Sequence, residues 1–543
     1  MHKRRHSNLL RTVGAATIAA VACGVSVPGY AYEYADGDNS IKIGGWLRNW
    51  TGFNLDKVPG SQMKDLWWDP SMVRNELMLD MDAKTGGVTW KFIGRYDREV
   101  QTDYLARLNS INSANSPNGM VGAGHNWMDQ YNTTSFLDAA REFYADFDVG
   151  NRFNFRFGKQ QIVWGESDFF HAMDMISGFD YRWRLFFENN EEYRKPLIMA
   201  KTSIAVPELD GSMDLFIRPS LDPGNAIGNS YAIEGGRWAV TPYQGVDFTS
   251  FTHYNYHANG ANKDDPTFGA RWKGDWHEIG YSLAYMHTFN PDPVMNPSRM
   301  NSTLSAFGVT STTQWNGNQS AQILGDWVFP QIDVFGASAN YYVEPLDTVL
   351  NVETVYVPNK PYNYGQLHSS LPGWQGIREK DTEIAMVRLD KNVHLTQDWL
   401  GTNRPSLSSL QIFDTWLLNE TPNDQIVQFA SMGHPQHEHT TYVTYFILLN
   451  YFGDTINPSF VIGADASNGG GFLIPAVDVV IGDNWRLKFE ADLFWDDHYK
   501  SPSSYNAATG AKTNPLGISE NQAGLFGWFH GDDQFVARIT RQF

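Results

Sequence analysis

The sequence predicts an all-β fold, a transmembrane antiparallel β-barrel, on three observations. These are an export-type N-terminus, repeated two-residue alternation of apolar and polar side chains, and a last strand that ends on an aromatic residue.

The N-terminus opens with Lys3, Arg4, Arg5 and Arg11, followed by an apolar or small-residue run over 13–27 and by Pro28-Gly29-Tyr30-Ala31, with small residues where a signal peptidase cuts. Residues 1–31 are therefore expected to be a signal peptide and 32–543 the barrel. The run is too short and too rich in small residues for a membrane anchor. The one cysteine, Cys23, lies inside this leader, in Ala20-Val21-Ala22-Cys23, which lacks the bulky aliphatic residue of a lipoprotein site. The mature chain is then cysteine-free, which excludes a disulfide framework and thiol chemistry.

The whole chain carries a net charge of -19; removing four leader cations from the 41 leaves 37 against 60 acids, or -23. That balance excludes nucleic acid as a partner and suits an acidic lumen, acidic loops or lipopolysaccharide bridged by divalent ions. Aromatic residues make up 14% of the chain, and after the leader no stretch is long and apolar enough for a membrane helix, so strands must do the spanning.

Alternation supplies the strands. In 73–81, Val73, Asn75, Leu77, Leu79 and Met81 share one face, and Arg74, Glu76, Met78 and Asp80 the other. Thr85-Gly86-Gly87 turns the chain, and Val88, Trp90, Phe92 and Tyr96 resume opposite Lys91 and Arg95. A second hairpin sets Phe143, Ala145 and Phe147 beside Phe153, Phe155 and Phe157 across Gly150-Asn151. Its other face pairs Tyr144, Asp146 and Asp148 with Arg152, Asn154 and Arg156, opposite charges that belong in a wet lumen. Further hairpins flank Asp210-Gly211 and Gly274-Asp275, and another turn stands at Gly482-Asp483-Asn484. From Trp485 to Trp495 the alternation is unbroken, with Arg486, Lys488, Glu490 and Asp492 on the polar face and a tryptophan at each end of the apolar one.

Short turns alternate with long polar segments at 107–132, 291–318 and 359–381, the pattern of a barrel with tight periplasmic turns and large outer loops. Roughly 14 to 18 strands, an even number, fit this length. The chain ends on an amphipathic strand in which Phe535, Ala537 and Ile539 lead to Phe543, similar to the signal read by the outer-membrane assembly machinery; Arg541 interrupts the apolar face where a long cation can snorkel.

One motif carries a family resemblance. Arg156-Phe157-Gly158-Lys159-Gln160-Gln161-Ile162-Val163-Trp164-Gly165-Glu166-Ser167 resembles a family of proteobacterial outer-membrane proteins long labelled as a domain of unknown function, in which a strand ending Phe/Leu-x-Gly-Arg/Lys-Gln runs into Trp-Gly-Glu-Ser. The downstream Asp174-Met175-Ile176-Ser177 departs from the Asn-Pro segment of that pattern. The resemblance implies an outer-membrane barrel that accompanies RND-type exporters of hydrophobic compounds. From the residues themselves, Gly165 permits a bend, Trp164 seals an interface or a lumen wall, and Glu166 accepts bonds from Arg152 or Arg156, as a brace of the barrel interior or as part of a binding site. The aromatic stretch 168–187, with Phe169 and Phe170 near its start, reads either as an inward plug or as an outer loop packed on itself.

His434, His437 and His439 match no zinc spacing, and Pro435 breaks any helix that would align them, so no metal site is expected. No Gly-x-Ser-x-Gly elbow, P-loop or His-Glu-x-x-His occurs, and no cofactor or catalytic role is expected. The leading expectation is an outer-membrane barrel in the transport of hydrophobic or lipid-like compounds, with an inner-membrane exporter. The alternatives are a porin-like diffusion channel for polar solutes and, less favoured, an outer-membrane hydrolase.

Overall fold

Each strand buries one face and offers the other to lipid, and a strand in lipid must also pair both of its edges, which only closure of the sheet achieves. A computed structural model describes residues 32–55, 67–114, 126–222, 225–233, 236–239, 248–430, 435–496, 498 and 524–543. It forms a closed antiparallel barrel of 18 strands. They are β1 (Asn39–Asn54), β2 (Pro70–Thr85), β3 (Val88–Glu99), β4 (Ala140–Val149), β5 (Phe153–Gln160), β6 (Leu197–Val206), β7 (Gly211–Arg218), β8 (Thr267–Trp276) and β9 (Ile279–Phe289). The second half comprises β10 (Gln331–Val343), β11 (Thr348–Tyr364), β12 (Gly376–Val393), β13 (Ser406–Leu417), β14 (His439–Leu448), β15 (Ile456–Asp465), β16 (Gly471–Ile481), β17 (Trp485–Trp495) and β18 (Gln534–Gln542).

Neighbours in sequence are neighbours in space, and β18 pairs with β1 from Trp46↔Gln542 to Asn54↔Gln534, which closes the barrel. The terminal Phe543 adds a reciprocal backbone pair with Gly45, at 3.0 Å each way. Before β1, the strand Tyr32–Asp36 folds back on its first residues. The expected alternation holds: Leu79, Trp90, Phe143, Phe157, Phe489 and Ile539 are exposed on the outer face, while Arg74, Glu76, Glu490 and Asp492 are buried inside. Arg541 stands on the outer face, 5.5 Å from the Trp485 ring centroid.

The short connections, including those at Gly86, Gly150, Asp210 and Gly482, share one end of the barrel with the start of β1 and the end of β18; Asp210 takes the left-handed conformation its turn requires. The long connections crown the other end. One expectation is corrected here. The segment 359–381 is mostly strand, because β11 runs to Tyr364 and β12 begins at Gly376, leaving a loop of 365–375. Pro358 and Pro361 sit at and just beyond a bulge between Val357 and Lys360, where the ladder is already interrupted and a missing N–H costs least. Among the described residues no helix is long and apolar enough to cross a membrane. The leader lies outside the described residues.

Candidate functional site

The lumen has two storeys. Nearest the short turns, inward side chains are charged and partly wet. Lys91 bridges Asp80 and Asp82, Arg156 meets Asp146 at 2.7 Å, and Asp214 takes Lys273 at 2.9 Å and Arg271 at 3.1 Å. Around the wall follow Arg388 with Asp390 at 2.9 Å and Lys488 with Glu490 at 2.6 Å. Higher up, the inward positions on β6 to β13 turn apolar: Met199, Phe216, Met286, Val355, Met386 and Phe413 are buried against a segment of chain that enters the barrel.

That segment is residues 161–196, between β5 and β6. Its entry is set by glycine. At Gly158 φ is 134°, and a Cβ there would lie 2.2 Å from the Phe143 carbonyl oxygen, so no side chain fits where the strand bends. Gly165 answers a close approach rather than a special dihedral, since its Cβ would stand 3.0 Å from Asp174. Trp164 is buried edge-on against Phe216 at 5.2 Å, with the Arg271 guanidinium over its indole. The stretch 168–187 is thereby an inward plug and not an outer loop.

Phe170 stacks on Tyr442 of β14 at 4.4 Å, and Phe169, at positive φ, leans on Phe472 of β16. Polar clamps hold the same flank. The fully buried Glu353 carboxylate accepts the Glu166 N–H at 2.7 Å and also the Met173 N–H, while Asp168 meets Arg388 at 3.2 Å and its backbone bonds Gln411 in both directions. Burial lifts Asp168 above the usual carboxylate range in spite of Arg388. His171 stacks on Phe179 at 4.1 Å with both ring nitrogens buried and unpartnered; burial pushes it down to about 4, so the ring is neutral. Asp174 ties back to Arg194 at 2.5 Å within the plug.

The opposite flank is held by charge. Arg184 donates to Glu188 beside it and to Glu490 of β17, and meets Asp492 of β17 at 2.7 Å, all four side chains being buried. Glu192 takes Arg48 of β1 at 2.9 Å, and its backbone carbonyl accepts from Arg95 of β3 at 2.6 Å. Two touching indoles lie at the centre: Trp50 of β1 and Trp183 of the plug are edge-on at 5.4 Å, with Arg48, Arg184 and Arg538 around the first and Arg74 and Arg95 around the second. Arg74 donates to Glu99, which also holds Arg237 at 2.6 Å. At Asp180, burial acts to raise the carboxyl, but Arg182 outweighs it and holds the group at about 2.

The expected lumen residues therefore divide. Arg74, Glu76 and Arg95 join the clasp around the plug, with the Trp46 indole donating to Glu76 at 2.9 Å. Asp80, Asp146 and Arg156 line the lower storey. Asp148 is an exposed partner of Asn154 near the turn, and Arg152 pairs with Glu208 outside the lumen, between two exposed turns. Neither Arg152 nor Arg156 reaches Glu166, which corrects that expectation: Arg388 takes the Glu166 carbonyl, because β12 faces this flank of the plug and β5 does not. Sequence reasoning does not single out Arg184, Glu353 or Arg237. For Arg184 the available signal is the pair of inward acids Glu490 and Asp492, with no nearby cation on their own strand to neutralise both. Of the histidine tract, His439 pairs with Asp414 at 2.9 Å, and His434 lies outside the described residues. Among the described residues no group of three His, Cys, Asp or Glu side chains could hold a metal.

These features define a transmembrane β-barrel whose lumen is entered by its own chain. Residues 70–517 match the family described as "Protein of unknown function (DUF1302)", and the chain belongs to that family. No curated protein matches it. Among solved structures it is similar to Pseudomonas aeruginosa OccK5 (OpdH), with 8% identity, 93% of this chain and 97% of that one covered, and a TM-score of 0.42. It is also similar to Pseudomonas aeruginosa OpdK with vanillate (10% identity, 93% and 98% covered, TM-score 0.39) and to Acinetobacter baumannii OccAB1 (11%, 92% and 96%, TM-score 0.39). At this level the likenesses supply no functional assignment.

Proposed function

We propose that this protein is an outer-membrane channel for small polar solutes, with the inward segment 161–196 as its constriction. The observation that carries the reading is the lower storey. Charged side chains of both signs, from Lys91 and Arg156 round to Arg388 and Lys488, line the lumen on many strands and remain partly exposed to water. Such a wall lowers the desolvation cost of a hydrated or charged solute and offers nothing to an apolar one. In this reading the chain is exported through its leader, assembled into the outer membrane through the strand that ends at Phe543, and surrounded by lipid and lipopolysaccharide. It acts as a conduit and not as an enzyme.

A second reading, transport of hydrophobic compounds with an RND-type exporter, is favoured by one feature, the aromatic packing of Phe169, Phe170 and Phe187 against the upper storey. Those rings are engaged with each other and with the wall, which is why the polar reading is preferred. Single-channel recording of the refolded mature chain in a planar bilayer separates the two. Ohmic, salt-dependent steps, with uptake of small hydrophiles into liposomes, are expected. A folded but silent barrel that binds an apolar fluorophore in its lumen would replace the first reading with the second.

A further inference from the structure

At the short-turn end, three consecutive connections form a braced apolar platform. Between β12 and β13 lies the helix α1 (Leu395–Leu400), closed by Gly401 in the left-handed conformation. Its neighbours are the turn Glu344–Leu346 before β11 and the turn between β14 and β15. His394 meets Asp347 at 3.5 Å, the Lys391 ammonium donates to the Leu346 carbonyl at 2.7 Å, Arg404 pairs with Asp454 at 3.2 Å, and Asn450 exchanges bonds with Arg404. On this rigid frame Trp399 is 80% exposed and Phe452 76%, with Leu346, Leu395 and Leu400 also more than half exposed.

The placement of α1 says what covers it. Leu395, Thr396, Trp399 and Leu400 share one half of the helix, and Gln397 and Asp398 the other. Thr396 is the wall contact: it is buried, and its hydroxyl accepts the Ser406 N–H at 3.2 Å. Ser406 alternates with the exposed Leu410 and Ile412, so its side chain points outward, yet it is fully buried. The helix turn thus folds against the outside of the wall, and its apolar residues flank that contact, continuous with the lipid-facing belt above through Leu389 and Leu410. Lys391 and Arg404 stand beside it, cations of the kind that meet lipid phosphates at an interface.

We infer that α1 and the Phe452 turn form a docking surface for phospholipid of the periplasmic leaflet, a foot that seats Trp399 among the headgroups and fixes the depth and tilt of the barrel. A protein partner in the aqueous periplasm would instead require Trp399 to stand in water until bound. The site is independent of what passes through the lumen.

The test uses the full chain with Cys23→Ser, which leaves no other cysteine, and a single Trp399→Cys, Phe452→Cys or Asp398→Cys substitution carrying an environment-sensitive fluorophore, in phosphatidylcholine bilayers with spin labels near the headgroup or near the chain end. All three positions are exposed, and folding is checked by heat-modifiable mobility. Positions 399 and 452 are expected to be quenched several-fold more by headgroup-proximal spin labels than position 398, which aqueous iodide reaches. Equal iodide quenching at 398, 399 and 452 with no effect of spin-labelled lipid overturns the proposal, including the case in which a periplasmic protein afterwards shields 399.

Discussion

Replacing Arg184 with methionine should free the charged flank of the plug while leaving the barrel closed. Among the described residues Arg184 is the one cation paired with Glu188, Glu490 and Asp492 together. After its removal Glu490 retains Lys488 at 2.6 Å and Glu188 retains Arg538 at 3.5 Å, whereas Asp492 is left with Gln534 alone, at 2.7 Å. Stranding a buried carboxylate by deleting its partner costs about 3–5 kcal/mol, and the surviving cations and the Gln534 amide bring the loss toward the lower limit, ~3 kcal/mol. At 1.4 kcal/mol per decade this is about a hundredfold larger open population of the clasped flank. Hydrogen exchange reads it directly, through amides bonded within the plug such as Leu185 to Tyr181 and Asp180 to Tyr193. They should exchange about a hundredfold faster in Arg184→Met, while β10 to β13, which do not touch the clasp, keep wild-type rates. Adding Asp492→Asn removes the stranded charge and should recover part of the protection. Exchange within about threefold of wild type (under 1 kcal/mol) would refute the assignment of the clasp as what holds this flank.

Two further outcomes follow from the other flank. Because His171 is held at about 4 in the docked plug against about 6.5 when free, its contribution to docking is fully present above pH 6.5 and is lost as pH falls toward 4, while Asp168, lifted by burial, contributes with the opposite sign at the acid end; in conductance or exchange of 168–179 the His171 slope should appear as the difference between wild type and His171→Phe. Phe170→Ala loses the stack on Tyr442 at a cost of ~2 kcal/mol, below the 3–5 of a fully buried phenylalanine because the ring is half-buried; larger or longer-lived channel openings should accompany it, and unchanged recordings would mean that the polar clamps of Glu353, Arg388 and Gln411 seat this flank without the stack.

How much of this could be read from the chain follows from the range of each interaction. A strand of 11 residues such as β17 declares its two faces by itself, and the hairpin of β4 and β5 declares its charge pairing within 21 residues, because both signals are local. The lipid-facing and lumen-facing sets were therefore legible, and so was the inward face of Glu490 and Asp492. That Arg184 meets them was not, because it depends on 161–196 folding inward and on which strands face it after closure, a separation of 306 residues for Glu490. Glu353 was hidden for a different reason: as an acid at an inward position of β11, it reads like any wall charge until the plug amides are placed on it. The misreading of 359–381 was chemical. Two prolines and an asparagine signal a loop, and only the bulge at Val357 and Lys360, invisible without the partner strand, makes a strand possible there.

The two flanks of the plug also bear on the route a solute could take. On the β9 to β14 side the plug is held by close packing, Phe170 on Tyr442 and Met173 against Gly336, and by polar groups, Glu353, Arg388 and Gln411, whose bonds are already taken up by the plug. On the side of β1 to β3, β17 and β18 the contact is made by alternating guanidinium and carboxylate groups around Trp50 and Trp183, several of them with nitrogen or oxygen atoms that make no hydrogen bond among the described residues, such as both terminal nitrogens of Arg74 and one oxygen of Asp97. Those atoms need water or a solute to complete them. A polar solute that crosses with the plug docked must therefore move along the clasp, exchanging its hydration for these groups, whereas a solute that crosses only after undocking is indifferent to them. Neutralising Arg74 should then lower the conductance of small anions in the first case and leave it unchanged, at equal open probability, in the second.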